Sequence, residues 1–241
     1  MIRQVKRTIR KFWATLTLLS IELLVILVAF FVALFGFVFV ARMIFLENRQ
    51  GIDIKVFDFL AKHVSPVNTS VMQFFSFLGT HYFLIPANLL LVLYFLFIKK
   101  HRWYSVKIPV IALSSMLLMF LLKQIFGRHR PLMPLLDEAR GLSFPSGHAM
   151  MSFSFYGLLI YLVWENVANR NLKWILMIGL LLLILFIGLS RVYLRVHFAS
   201  DVLAGFCLGL MWLILGLWVL NLLERLSQKQ KHVLVEGENV E

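Results

Sequence analysis

The chain is short of charged residues. Only 15% of its 241 residues are charged, whereas 61% are hydrophobic and the mean hydropathy is +0.85. Soluble globular domains carry about 25% charged residues and about 45–50% apolar ones. A soluble fold of this length cannot hide so much apolar surface. The sequence therefore predicts a protein whose solvent is the lipid bilayer.

Cysteine and processing signals are also scarce. Cys207 is the only cysteine, which excludes an intrachain disulfide. Because it lies in an apolar run, we expect a buried structural thiol. No clear small-residue cleavage site follows the basic N-terminus and its long apolar run, so this run is predicted to be a retained first span and not a signal peptide. The chain contains no internal repeat.

Basic residues are the one kind of charge present in excess, with a net charge of +12. They are dispersed between apolar runs and do not form the contiguous patch that binds nucleic acid. We therefore expect no nucleic-acid partner, and no obligate protein partner is evident. The basic residues are interpreted as topology signals and as phosphate ligands.

The apolar runs predict an all-α fold, a polytopic bundle of six transmembrane helices in a single membrane domain. A spanning helix needs about 20 mainly apolar residues. Residues 52–77 are mixed in polarity and are predicted to form one or two short interfacial helices between the first and second spans. Residues 224–241 are predicted to be a frayed polar tail. The six predicted spans are 16–40, 82–98, 108–122, 148–163, 172–189 and 200–220.

The distribution of Lys and Arg predicts the orientation, because cytoplasmic segments carry an excess of both. Five basic residues lie within residues 1–11 and four within 99–107. With the N-terminus inside, both termini are cytoplasmic. Glu22 is then a carboxylate near the cytoplasmic end of the first span. Four tryptophans fall at the predicted cytoplasmic helix ends, as an aromatic belt would: Trp13, Trp103, Trp164 and Trp174.

Three clusters of polar residues lie at predicted helix ends. They occupy residues 123–131, 143–148 and 190–201. The third span ends at the first cluster, the fourth begins at the second, and the third cluster joins the fifth span to the sixth. The number of membrane crossings alone brings all three clusters to the non-cytoplasmic face.

The first part of this constellation is suited to an anion. Lys123, Arg130 and Arg191 are three cations in otherwise apolar surroundings, and guanidinium groups match phosphate oxygens two at a time. Ser146 and Gly147 open a helix, where unpaired backbone N–H groups favour anions. Together these residues predict a cradle for a tetrahedral dianion.

The second part supplies reactive groups. His197 and Asp201 are four residues apart and are expected to share one helix face, so that the carboxylate fixes the imidazole tautomer and frees the other nitrogen to attack. His148 begins the opposing helix and is a candidate general acid. We therefore predict phosphoryl transfer to a histidine nucleophile, with the cations stabilising the transferred group.

In these motifs the chain resembles the type-2 phosphatidic acid phosphatase (PAP2) superfamily, over roughly residues 55–220. The signature of that family has three parts, and each is complete and in order here: Lys123 with Arg130 and Pro131, then Pro145, Ser146, Gly147 and His148, then Ser190 and Arg191 with His197 and Asp201.

The resemblance implies a metal-independent membrane lipid phosphatase with no cofactor. It implies that Lys123, Arg130, Ser146, Gly147 and Arg191 bind phosphate, that His148 is the general acid, that His197 forms a phosphohistidine, and that Asp201 orients it. Bacterial members act on phosphatidate, phosphatidylglycerophosphate, undecaprenyl diphosphate or lipid A phosphates, which favours a substrate of the cell (inner) membrane. Three basic residues lie between the motif positions and have no assigned role: Arg128, His129 and Arg195.

Two other functions stay open at this point. His148, His197 and Asp201 are residue types that could hold a metal ion in a metal-dependent hydrolase, although the three nearby cations would repel it. A non-catalytic lipid-phosphate carrier or flippase would need the anion cradle but neither histidine.

Overall fold

A computed structural model describes the backbone of residues 2–47, 49, 51–131, 134–135 and 141–238. Side chains are described within these ranges from residue 21 to residue 230, with the exception of Glu22. The N-terminal basic segment 1–11 and Trp13, which were used to predict orientation, therefore have no described side chains, and neither has Glu22. Most of the segment 132–140 also lies outside the described residues.

The described part of the chain is all-helical, as predicted. A π-helical turn, Tyr94–Ile98, continues the fourth helix. The α-helices are α1 (Ile2–Phe45), α2 (Gly51–Ala61), α3 (Pro66–Leu78), α4 (His81–Leu93), α5 (Arg102–Phe126), α6 (Gly147–Asn166), α7 (Arg170–Tyr193) and α8 (Ala199–Glu238).

Local sequence explains where several helices begin and end. The side chains of Ser65, Thr80 and Asn169 accept hydrogen bonds from backbone N–H groups in the first turns of α3, α4 and α7. Such N-caps satisfy donors that a helix start leaves unpaired. Gly127 ends α5 with a φ of 59°, a left-handed conformation that suits glycine.

Six helices of the described chain are long and apolar enough to span a membrane, which confirms the predicted number. The first described span, Leu23–Phe45, extends five residues beyond the predicted end because the apolar run continues past Arg42. Both α2 and α3 form within the segment predicted to hold interfacial helices. In contrast to the predicted frayed tail, α8 continues through Glu238.

The bundle is centred on α6, which packs against α5, α7 and α8. Two glycines of α8 lie directly against α6: a Cβ built on Gly205 would lie 2.7 Å from the Ser146 carbonyl oxygen, and one on Gly209 would lie 2.6 Å from Phe153 Cβ. Small residues four apart allow this close approach of two membrane helices. The beginnings of α6 and α8 are consequently held together at one end of the bundle.

Candidate active site

The three predicted clusters meet at one end of the bundle. The backbone N–H of Ser146 donates to the Asp201 carbonyl oxygen at 3.0 Å, which joins the second cluster to the third. The Arg130 guanidinium donates to the Val196 carbonyl oxygen at 2.7 Å, which joins the first to the third. Helices α5, α6, α7 and α8 thus deliver their polar ends to a single site.

A hydroxyl group couples His197 to Asp201. Ser143 Oγ donates to Asp201 Oδ2 at 2.5 Å and lies 3.3 Å from His197 Nδ1, whereas Nδ1 itself is 3.6 Å from the carboxylate. The single hydroxyl proton is directed to the carboxylate, so the hydroxyl accepts from the imidazole. His197 therefore carries its proton on Nδ1, and the lone pair lies on Nε2.

The expectation that His197 and Asp201 share one helix face is wrong. Helix α8 begins at Ala199, so His197 lies in the turn before it. Asp201 lies in the first helical turn, and its Oδ2 accepts a hydrogen bond from the Phe198 backbone N–H at 3.0 Å. This bond is one half of a capping box. The same carboxylate thus caps the helix and reaches the histidine in the turn.

His197 is fully buried and neutral. Burial lowers the pKa of His197 from 6.5 to about 3; the neighbouring Asp201 carboxylate opposes this change, and the positive charge of Arg130 adds to it. Arg130 Nη1 lies 3.4 Å from His197 Nε2. The unprotonated nitrogen of His197 therefore faces a cation, at a position where an anion would contact both groups.

The predicted cations are oriented by neutral groups. Lys123 Nζ donates to the Leu142 carbonyl oxygen at 2.5 Å, and Arg130 Nε donates to the Gly141 carbonyl oxygen at 3.1 Å. Arg191 is buried, and its Nη1 donates to the hydroxyl of Ser76 in α3. Within the described residues, Arg191 Nε has no hydrogen-bond partner. Among the described side chains, then, these three cations have no carboxylate in salt-bridge contact.

His148 lies in the first turn of α6, next to Gly147 and after the N-cap Ser146. Its Nε2 is buried and has no hydrogen-bond partner among the described residues, and the same is true of Ser152 Oγ one turn further on. The positively charged groups whose fields act on the His148 ring include Arg191 and Arg130, together with His197 when it is protonated. The structure thus brings His148 to the same site as the other predicted residues.

Comparison with known families agrees with this arrangement. The sequence profile of the PAP2 superfamily matches residues 104–225, a span that contains all three clusters. The chain belongs to the PAP2 superfamily. A PAP2 protein with six apolar helices is a multi-pass membrane protein, and phosphatase activity is shared by its named relatives, so the chain is a phosphoric ester hydrolase.

Relatives of this PAP2 protein include two proteins with phosphatase names. Phosphatidylglycerophosphatase B of Bacillus subtilis is 32% identical over 68% of this chain and 81% of its own length. An undecaprenyl-diphosphatase of Sulfolobus acidocaldarius is 25% identical over 68% of this chain and 76% of its own. The crystal structure of a transmembrane PAP2-type phosphatidylglycerolphosphate phosphatase from Bacillus subtilis superposes with a TM-score of 0.72 and 28% identity, over 78% of this chain and 93% of that one.

Four residues at the PAP2 site were given no role by sequence reasoning. Ser143 was noted only as a member of its cluster, and Arg128 only as a residue between motif positions. Ser76 carries no sequence signal, because a serine is common on an interfacial helix. Asp53 had one usable signal, since it is an acidic residue directly between two isoleucines. His129 is exposed and Arg195 is half-buried at a positive φ of 55°.

Proposed function

We propose that this protein hydrolyses a phosphomonoester or diphosphate of a membrane lipid through a phosphohistidine intermediate, without a metal ion. One observation carries the proposal. A buried, neutral histidine, His197, presents its unprotonated nitrogen beside Arg130, in a site where cations outnumber carboxylates among the described side chains. A phosphate dianion would supply the missing negative charge and place its phosphorus next to the nucleophile.

The reaction has two steps. His197 Nε2 attacks phosphorus, and the bond between phosphorus and the lipid oxygen breaks. The departing oxygen takes a proton from His148, while Lys123, Arg130 and Arg191 stabilise the charge on the transferred group. Water then attacks the phosphohistidine as His148 accepts a proton, which releases inorganic phosphate and restores both histidines.

The substrate class follows from the relatives and from the membrane setting. We infer that phosphatidate, phosphatidylglycerophosphate or undecaprenyl diphosphate enters sideways from the bilayer, with its phosphate at the site and its chains among the apolar helices. The segment 132–142, which leads to the second cluster, is the part of the chain we expect to influence the choice among these headgroups.

The proposal that no metal takes part rests on the ligand set. Among the described residues, no three His, Cys, Asp or Glu side chains are arranged to share a metal ion. Asp201 is already engaged by Arg128 and Ser143, which leaves it poorly suited to a metal. Activity that is lost with chelator and restored by zinc or manganese would contradict this part of the proposal.

We further propose a location in the cell membrane, with both termini cytoplasmic and the site on the opposite face. The distribution of Lys and Arg supports this orientation. Labelling of single cysteines introduced at residues 49 and 101, with an impermeant thiol reagent on intact cells, tests it. In a Cys207→Ser background, only the residue 49 variant should react.

The activity itself is tested with purified protein in detergent micelles containing EDTA and each of the three lipids. Wild-type protein should release phosphate from at least one lipid. His197→Ala should lower kcat by about 10⁴-fold or more, because loss of a nucleophile removes the covalent route. His101→Gln, at the other end of the bundle, is the matched control and should retain full activity. Full activity of His197→Ala would refute the nucleophile assignment.

A carrier or flippase makes the opposite prediction. Lipid movement across liposomes that persists after both His148 and His197 are replaced by alanine, with no phosphate released by the wild type, would favour it. Phosphate release that depends on both histidines would exclude it as the main function.

A further inference from the structure

Helix α2 turns one acidic side chain into the protein and its apolar neighbours outward. Ile52 and Ile54 are 57% and 55% exposed, as expected for a helix at the membrane interface. Asp53, which lies between them, is only 1% exposed. Burying a carboxylate costs free energy unless the group is paired, so the partners of Asp53 indicate its role.

The partners of Asp53 lie in the candidate active site. Asp53 Oδ1 accepts from the Ser200 backbone N–H at 2.9 Å, and Oδ2 accepts from Ser200 Oγ at 2.6 Å. Because Ser200 lies in the first turn of α8, Asp53 caps this helix from another element. Oδ2 also accepts from Arg128 Nη2 at 2.9 Å. Asp53 thus contacts both the helix that carries Asp201 and a cation beside it.

Arg128 connects the two carboxylates. Its Nη1 donates to Asp201 Oδ1 at 2.6 Å and to Ser200 Oγ at 2.8 Å, while its guanidinium lies 4.0 Å from the centre of the Phe198 ring. The planar fork of arginine satisfies two acceptors at fixed angles, which a lysine ammonium cannot do. Arg128 is buried, so water does not weaken these contacts.

The two carboxylate oxygens of Asp201 therefore contact different groups. Arg128 occupies Oδ1, and Oδ2 is left for Ser143 and for the His197 side of the site. Without Arg128, Asp201 and Asp53 would be two buried carboxylates with no cation between them. Without Asp53, Arg128 would lose the acceptor that binds its second nitrogen.

We propose that Asp53 and Arg128 are positioning residues for the phosphatase reaction, and that they act by fixing the orientation of Asp201 and, through it, of His197. This inference rests on the proposed function. Under this proposal, α2 lies at the membrane interface and also helps to orient the nucleophile, because Asp53 contacts Arg128 and Arg128 contacts Asp201.

The test compares three variants, Asp53→Asn, Arg128→Gln and Arg128→Lys, with a buried-charge control. Lys107→Met is the control, because it breaks a buried ion pair with Glu224 that involves none of the site residues. The lipid best hydrolysed by the wild type is the substrate, and kcat, KM and the melting temperature are measured for each protein in micelles.

We expect Asp53→Asn and Arg128→Gln to lower kcat about 10–100-fold, the effect typical of losing a partner that holds a reacting group. KM should change by less than about threefold, because the phosphate cradle remains. Arg128→Lys should recover part of kcat, since it restores the charge without the fork. Lys107→Met should lower the melting temperature but leave kcat near the wild-type value.

Two results would overturn the inference. One is an unchanged kcat in both Asp53→Asn and Arg128→Gln while the wild type is active and His197→Ala is inactive, which would leave the proposed function intact. The other is a loss of kcat in Lys107→Met as large as in the two site variants, which would show that any destabilisation of the bundle lowers the rate.

Discussion

The two ends of the bundle both bury charge, but they balance it differently. At one end, Lys107 of α5 is 2% exposed and donates to Glu224 Oε2 and Asn221 Oδ1 of α8, each at 2.6 Å. One cation meets one carboxylate, and an amide oxygen accepts a second hydrogen bond from the same ammonium group. At the other end, which we call the site end, the described side chains of the candidate active site include more cations than carboxylates. The cations are Lys123, Arg128, Arg130 and Arg191, and the carboxylates are Asp53 and Asp201.

This difference separates a structural ion pair from a binding site. Charge inside a membrane bundle is costly and marks function in general, but a balanced pair needs no further ligand. Over the residues that the structure describes, the site end has an excess of positive charge, and buried polar atoms there, including Arg191 Nε and His148 Nε2, have no partner. An incoming phosphate dianion would neutralise part of the positive charge and would also provide hydrogen-bond partners for these atoms.

Of the variants that test this comparison, the largest effect is expected from removing one of the unbalanced cations. Arg191→Gln should lower kcat/KM by about 10³-fold, because in the proposed mechanism its buried positive charge stabilises the transferred phosphoryl group. Phosphate release in micelles measures it. The melting temperature should fall little, since Arg191 has no carboxylate partner among the described side chains whose charge would be left behind. Arg42→Gln, which loses only an exposed contact with Glu47, is the control and should be as active as the wild type.

A large loss of stability with normal kcat/KM in Arg191→Gln would contradict the difference between the two ends of the bundle. It would show that Arg191 is a structural cation like Lys107, and that the excess charge at the site end is not reserved for substrate.

Replacing Lys107, the cation of the balanced pair, should lower the stability of the protein and leave its activity unchanged. Lys107→Met should lower the free energy of unfolding by about 3 kcal/mol, because Glu224 is left as an uncompensated, largely buried charge. Thermal unfolding in detergent, followed by circular dichroism, measures the loss. The double variant Lys107→Met/Glu224→Gln should regain most of it, since no charge then remains buried.

Lys107→Met could instead lose the binding of a lysolipid or of a headgroup while keeping most of its stability. That result would contradict a structural role for the pair of Lys107 and Glu224. It would also mean that balance of charge is not sufficient to identify a structural ion pair in this bundle.

Sequence reasoning predicted the fold and much of the site because both depend on local patterns. Long apolar runs specify membrane helices, and the crossing number brings residues 123–131, 143–148 and 190–201 to one end. It missed Asp53, whose one signal was its position between two isoleucines, and could not find Ser76, because the partners of both residues depend on how α2 and α3 pack against α7 and α8. The shared-face expectation for His197 and Asp201 failed for a related reason. Spacing of four suits a helix, but the capping contact at Phe198 starts α8 only at Ala199.

The smallest expected effect tests how closely the site end is packed. A Cβ on Gly79 would lie 2.6 Å from Ile187 Cγ2, 2.9 Å from Ser152 Oγ and 3.2 Å from His148 Cδ2, although the Gly79 φ of −97° is open to alanine. Gly79→Ala should therefore cost about 1 kcal/mol of stability through overpacking and lower kcat about tenfold by displacing His148. Gly179→Ala is the control because, among the described residues, no neighbouring side chain lies within 4 Å of a Cβ built on Gly179. This variant should leave the stability unchanged or raise it slightly. Equal kcat in the two variants would show that the His148 ring tolerates displacement, and that charge balance, not close packing, is what distinguishes the site end.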